Sequence, residues 1–368
     1  PGSETAGENK RKLQGWGRHW PAGLSNIWLQ NLLFLSMCSF STILVTRPVA
    51  TSSVLCGLIL AAFLVHVVFR KRSFCRYLCP IGGWLSVYAT GAMVEVRPAD
   101  SSRCAGCRTR ACAMGGGGGW GCPWDLVPGK LAANNYCGMC LECLKGCRDQ
   151  NMTIRARPFF SDLEVKGYDQ AWMIFIMMTL CLLYTAIFLG PWGTVKEWAN
   201  LSETGDWRGF FIYLATMWLS CLAVMPLLWY LAARSAKRLA GPEGPGVREI
   251  FLGYSYMLVP LGLLSWIAFS VPLVMVNYTH ITTSLSDPLG WGWNLFGTAG
   301  DRWRPLYPEY MHLLQVPLVV TGLWFSLTRG FAIARSKFPE GYRALFSLIP
   351  FGILTAALSL VLVIMFTA

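Results

Sequence analysis

Cys137, Cys140, Cys143 and Cys147 stand in the spacing CxxCxxCxxxC. Such a loop wraps three thiolates round one [4Fe–4S] cube and sends the fourth to a second cluster. The upstream half of the same region holds the partners: Cys104, Cys107 and Cys112, then Cys122 just before Pro123. By the two-cluster rule, Cys147 completes the set of Cys104, Cys107 and Cys112, while Cys122 completes that of Cys137, Cys140 and Cys143. The upstream intervals are irregular, and Arg148 follows Cys147 where proline is usual. Tetrahedral zinc held by paired CxxC units is the rival for these residues, although a 2, 2, 3 spacing suits it poorly.

Ten of the 14 cysteines fall between Cys75 and Cys147, a clustering that reads as metal ligation rather than as a disulfide framework. Two clusters need only eight. The other two, Cys75 and Cys79, form a CxxxCP element in FCRYLCPIGG. They serve packing or local redox chemistry, or they replace two of the irregular upstream ligands. A CxxxCP element followed by ferredoxin cysteines resembles the membrane polyferredoxins of the periplasmic nitrate reductase and nitrous oxide reductase systems, the NapH and NosR type. The likeness covers about residues 50–157, and the element occurs once here where that family commonly has it twice. It implies a membrane subunit passing electrons between the quinone pool and a redox partner through [4Fe–4S] clusters.

The surrounding chain has to position this region in a bilayer. Of its residues 54% are hydrophobic and only 14% charged, against about 25% in an ordinary soluble domain. Uncharged stretches of about 20 residues predict seven transmembrane helices, at 24–46, 50–69, 170–190, 209–233, 250–276, 312–328 and 344–366. With the N-terminus inside, the inner segments hold 26 of the 31 Lys and Arg, leaving only Arg47, Lys196, Arg208, Arg302 and Arg304 outside. That bias accounts for the net charge of +12 without nucleic acid and sets the cysteine region on the cytoplasmic side. The first residues lack the apolar core of a signal peptide, so targeting falls to the first span.

The expected fold is an all-α polytopic membrane protein with an inserted ferredoxin-like 2[4Fe–4S] domain. It divides into a cytoplasmic segment 1–23, two transmembrane helices in 24–69, an iron–sulfur domain 70–169 and a five-helix domain 170–368. Ile81 to Val94 is too short to span and reads as a re-entrant or interfacial helix. Gly115 to Gly119 lacks the GK[ST] ending of a phosphate loop and reads as a loop round a cofactor. Cys38, Cys56, Cys181 and Cys221 fall in apolar spans and read as small buried hydrophobes.

His280 and His312, at the outer ends of adjacent spans, are either axial ligands of a haem b or ordinary interfacial histidines in a Trp-rich loop. His66, near the inner end of the second span, either bonds a quinone carbonyl or makes an interhelical hydrogen bond. No Asp, Glu, Lys or Arg falls inside the expected spans, which argues against ion pumping. The sequence therefore reads as an electron-transfer subunit of a quinone-linked oxidoreductase complex in the inner membrane of a prokaryote. Its expected partners are lipid, quinone or quinol, and redox subunits. The alternatives are an iron–sulfur assembly or regulatory protein that reduces a metal or senses redox state, and a haem-bearing conduit to an extracytoplasmic cytochrome.

Overall fold

A computed structural model describes residues 17–131, 133–162, 165, 167–189 and 193–367. Residues 1–16 of the expected N-terminal segment, and residue 190 of the third expected span, lie outside them. Six helices are long and apolar enough to cross a membrane: Pro48–Val68, Tyr168–Leu189, Trp207–Ala240, Val247–Val276, Pro308–Lys337 and Gly341–Thr367. The chain is a mostly helical, multi-pass membrane protein.

In chain order the elements used below are α1 (Trp28–Ser39), α2 (Ser41–Thr46), α3 (Pro48–Val68), α4 (Pro80–Ala89), β1 (Val94–Pro98), α5 (Ser101–Gly106), α6 (Ala111–Met114), α7 (Glu142–Gly146) and β2 (Met152–Ala156). They continue with α8 (Tyr168–Tyr184), α9 (Trp207–Leu219), α10 (Met225–Ala240), α11 (Val247–Ser255), α12 (Leu258–Val276), α13 (His312–Lys337) and α14 (Gly341–Thr367). Helix α8 is the axis of the bundle: it is apolar all round, and Phe175, Ile176, Met177, Met178 and Leu180 are buried by α1, α4, α10, α11 and α12. Helix α3, equally apolar, has no buried residue, so its perimeter is left to lipid.

The segment expected as the first span is split. Helix α1 stops at Ser39 and α2 resumes at Ser41, because the Ser39 hydroxyl bonds back to Leu35 O at 2.8 Å and the next turn is rich in β-branched residues. Helix α1 still runs beside α8, where the Tyr184 hydroxyl donates to Cys38 O at 2.9 Å, and α2 continues past the end of α8. Ile27 N donates to Asp169 Oδ2 at 3.0 Å at one end, and the Thr42 hydroxyl donates to Ala199 O at the other. Two other breaks follow from proline. A π turn at Ser220–Val224 precedes Pro226, and a break at Tyr256–Met257 precedes Pro260, which relieves the clash of each ring with the carbonyl four residues back.

Of the apolar stretch at 81–94, residues 81–89 lie in the ten-residue α4, started by Pro80 and packed against α1 and α8. Beyond it β1 and β2 pair antiparallel from Val94↔Ala156 to Pro98↔Met152, and the intervening 53 residues hold eight of the cysteines. One end of this ribbon is fastened to the bundle. Arg157, just past β2, has a side chain only 7% exposed and pairs with Asp162 at 2.5 Å and Glu95 at 3.4 Å. Its remaining donors go to Ala92 O and Thr90 O, each at 2.7 Å, and the Thr90 hydroxyl accepts from Tyr256 of the bundle at 3.0 Å. Phe159 and Phe160 pack on Phe325 of α13 beside this network. Because removing one member strands buried carboxylates, Arg157→Ala is expected to cost about 3–5 kcal/mol. The check is the thermal midpoint of the detergent-solubilised protein, which should fall well below wild type; an unchanged midpoint would refute this role for Arg157.

Candidate functional site

The cysteine region is built from short helices and turns whose backbone is bent by need. Asp100 caps α5, accepting from Ser102 N at 2.8 Å, and so fixes the turn that presents Cys104. Arg110 is left-handed just before α6, where Cys112 lies. In the CxxCxxCxxxC loop Tyr136, Met139 and Leu141 all have positive φ (59°, 49° and 61°), although none is glycine. Such residues cluster at ligand clamps, and alternating hands of backbone turn successive N–H groups into one concavity, as in many iron–sulfur sites.

Cys104, Cys107, Cys112 and Cys147 line one cavity of about 50 Å³, several times the roughly 10–15 Å³ that a single water needs. Cys122, Cys137, Cys140 and Cys143 line a second, of about 20 Å³. At each cavity three thiols from one half of the region thus meet one from the other. Cys75 and Cys79 line neither cavity. They lie on the π turn Phe74–Leu78 and at the start of α4, next to the loop that carries Cys122: Arg72 N donates to Pro123 O at 2.9 Å, and the Arg72 guanidinium stacks over Trp124. Among the described residues no three His, Cys, Asp or Glu side chains converge as a single ion would require.

Crowding shows in the acidities. Burial, then the neighbouring Cys137, Cys122 and Cys140, push the Cys143 thiol up to about 11. Burial and the thiols of Cys147, Cys104 and Cys107 raise Cys112 in the same way. At the surface, the Thr109 hydroxyl and then the Arg110 N–H hold Cys107 below the usual thiol range. Any cation entering here has to displace protons, because the thiolate is the ligand.

Several positioning residues carry no local sequence signal. Asn151 donates its N–H to Cys147 Sγ at 3.3 Å and its side-chain amide to Cys104 Sγ at 3.4 Å, so one residue ties two thiols of one quartet. A Cβ at Gly129 would lie 3.0 Å from Cys104 Sγ. Gly119 fits against α7, where a Cβ would meet Gly146 N at 2.7 Å, so the glycine run joins the two cysteine loops by backbone contact. Gln30, fully buried on α1, donates to Cys79 O at 3.0 Å and Cys75 O at 3.2 Å and holds the CxxxCP turn against the bundle.

The two quartets differ in depth and surroundings. Val96 lines the Cys122 cavity, whereas Cys104 and Cys147 meet Asn151 beyond the far end of the ribbon, where Ala99 N bonds Asn151 O. The fastened and far ends of β1 are four residues apart, about 13 Å. The Cys104 quartet is thus distal to the bundle and the Cys122 quartet proximal. His66, His280 and His312 are all exposed. The His66 ring lies 3.4 Å from Lys71 O at the inner end of α3. Because alkylation needs the thiolate, metal-free protein at pH 8 is expected to label Cys107 at least ~10-fold faster than Cys143. Isotope-coded alkylation read by mass spectrometry measures that ratio, and equal rates would contradict the difference in acidity.

No family model matches this chain, and no solved structure matches it. An uncharacterized protein of Methanocaldococcus jannaschii is similar to part of it, 30% identical over 99 residues, which is 27% of this chain and 37% of that protein. The matched stretch therefore spans little more than a third of that relative.

Proposed function

We propose that this chain is a membrane electron-transfer subunit that relays single electrons between the quinone pool and a redox partner through two [4Fe–4S] clusters. The observation that carries the reading is the crosswise division of eight thiols between two cavities, three from one half of the region and one from the other at each. A lone zinc ion would need four thiolates about 3.8 Å apart round one point. The thiols here line two cavities, and the backbone between them has the positive φ angles that aim successive N–H groups into one concavity. Cys104, Cys107, Cys112 and Cys147 would hold one cluster, and Cys122, Cys137, Cys140 and Cys143 the other. When bound, such clusters take up and release electrons one at a time.

The chain's own residues then have separate tasks. Asn151 orients two ligands and offers N–H groups to their sulfurs, a contact that sets potential. Trp124, Leu126, Leu131 and Leu141 give the proximal quartet apolar walls. His66, exposed at the end of the lipid-facing α3, is the candidate to meet a quinol headgroup. The likeness of residues 50–157 to the membrane polyferredoxins supports the same role. Sidedness follows from charge: Arg248 stacks on Tyr168 and Arg343 pairs with Glu243, which draws the basic helix ends to the face that carries the cysteine region. By the positive-inside rule that face is cytoplasmic, in the inner membrane of a prokaryote.

Anaerobically purified protein should hold about eight iron and eight acid-labile sulfide per chain, and quinol should populate the EPR signals of two reduced centres. Zinc, or no metal, would end this reading. Clusters that ignore quinol would favour the assembly or regulatory alternative. A sharper expectation concerns single variants: Cys147→Ser should remove the centre of Cys104, Cys107 and Cys112, and Cys122→Ser that of Cys137, Cys140 and Cys143. Loss of the other centre in either variant would refute the crosswise assignment.

A further inference from the structure

The two cavities have contrasting walls. No charged residue lines the proximal one, although Cys140 reaches the surface there. The distal one is rimmed by Arg103, Arg110, Lys130 and Arg148 against a single acid, Asp149, and Arg108 stands exposed in the same loop. Only Arg103 is in an ion pair, a loose one with Asp100 at 3.6 Å; none of Arg108, Arg110, Lys130 and Arg148 forms a salt bridge among the described residues. Buried cations elsewhere in the region do structural work, as Arg157 and Arg97 do on Glu95. These side chains do not, since all five are exposed.

We infer that the basic rim of the distal quartet, formed by Arg103, Arg108, Arg110, Lys130 and Arg148, is the docking surface for an acidic one-electron carrier protein. The inference rests on the proposed electron-transfer role and names the partner's chemistry. Two observations on the fold select that occupant. The rim lies beyond the far end of the ribbon, whereas the opposite end is the one fastened to the bundle through Arg157, Phe159 and Phe160, so bilayer headgroups are on the wrong side to cover it. The rim also surrounds the thiols where an electron would enter or leave, and an acidic carrier would be steered there by complementary charge. With a cluster held by the distal quartet, the exchange would move one electron and no proton, the carrier being oxidised as the cluster is reduced, or the reverse. Past that point the proximal quartet, nearer the lipid, is the next station.

The test uses the full-length protein in neutral-lipid nanodiscs, with a gallium-substituted acidic ferredoxin as a redox-inert probe and the native ferredoxin for electron transfer. Calorimetric affinity at low ionic strength should fall about tenfold or more in Arg108→Glu/Arg148→Glu, and its salt dependence should flatten. The second-order rate with native ferredoxin should drop in parallel, while iron content and reduction by dithionite stay at wild-type values. Lys130→Glu, outside both cysteine loops, gives the same reading if the double variant does not load iron. Wild-type binding that is insensitive to salt, or variants that bind unchanged, would overturn the inference. So would a rim whose effect appears only with anionic lipid in the disc, since that assigns it to headgroups. A protein that holds no iron and sulfide fails the proposed function itself; a loaded protein with salt-insensitive docking fails only this inference.

Discussion

Holding four thiols round one small space is the demand on which the rest of this protein turns. Left to themselves they resist it, because burial and mutual proximity disfavour the thiolates, as the weakened acidities of Cys112 and Cys143 show. The fold meets that resistance with backbone in conformations that side chains rarely adopt, at Arg110, Tyr136, Met139 and Leu141, and with glycines where a Cβ would collide. Those arrangements cost conformational energy, which a cation bound by the quartet would offset.

Rigidity is the second requirement, and it comes from a few buried polar contacts between distant parts of the chain. Arg157 draws together Glu95, Asp162, Thr90 and Ala92, so the ribbon and the polypeptide leaving it are fixed to one another and, through Tyr256, to the bundle. Gln30 does the same for the CxxxCP turn. The buried axis α8 gives these anchors a firm base, whereas α3 beside them has no fully buried residue. An electron-transfer role needs such fixity, because the distance from the proximal quartet to the membrane has to stay constant.

Contrast between the quartets gives the region a direction in space. The distal one is polar-rimmed, the proximal one apolar-walled, and the environment of a cluster tunes its potential through charge, hydrogen bonds and solvent access. A graded pair of surroundings, ordered along one ribbon, separates an end that faces water from an end nearer the bundle.

Local spacing and composition were enough to read the helical membrane class and to raise the expectation of two thiol quartets. Those properties are written in neighbours: periods of two or three residues between cysteines, and uncharged runs of span length. Tertiary structure decided what depends on residues far apart. Gln30 and Cys75 are 45 positions from each other, and Asn151 lies 47 from Cys104, so no window of sequence contains either contact. The break at Phe40 was hidden because Ser39 and the β-branched turn after it leave the apolar run intact while weakening its helix. Which quartet lies nearer the bundle, and that Cys75 and Cys79 stand outside both, follows only once the ribbon pairs Pro98 with Met152, since position in space is fixed by the long-range ladder and not by order along the chain.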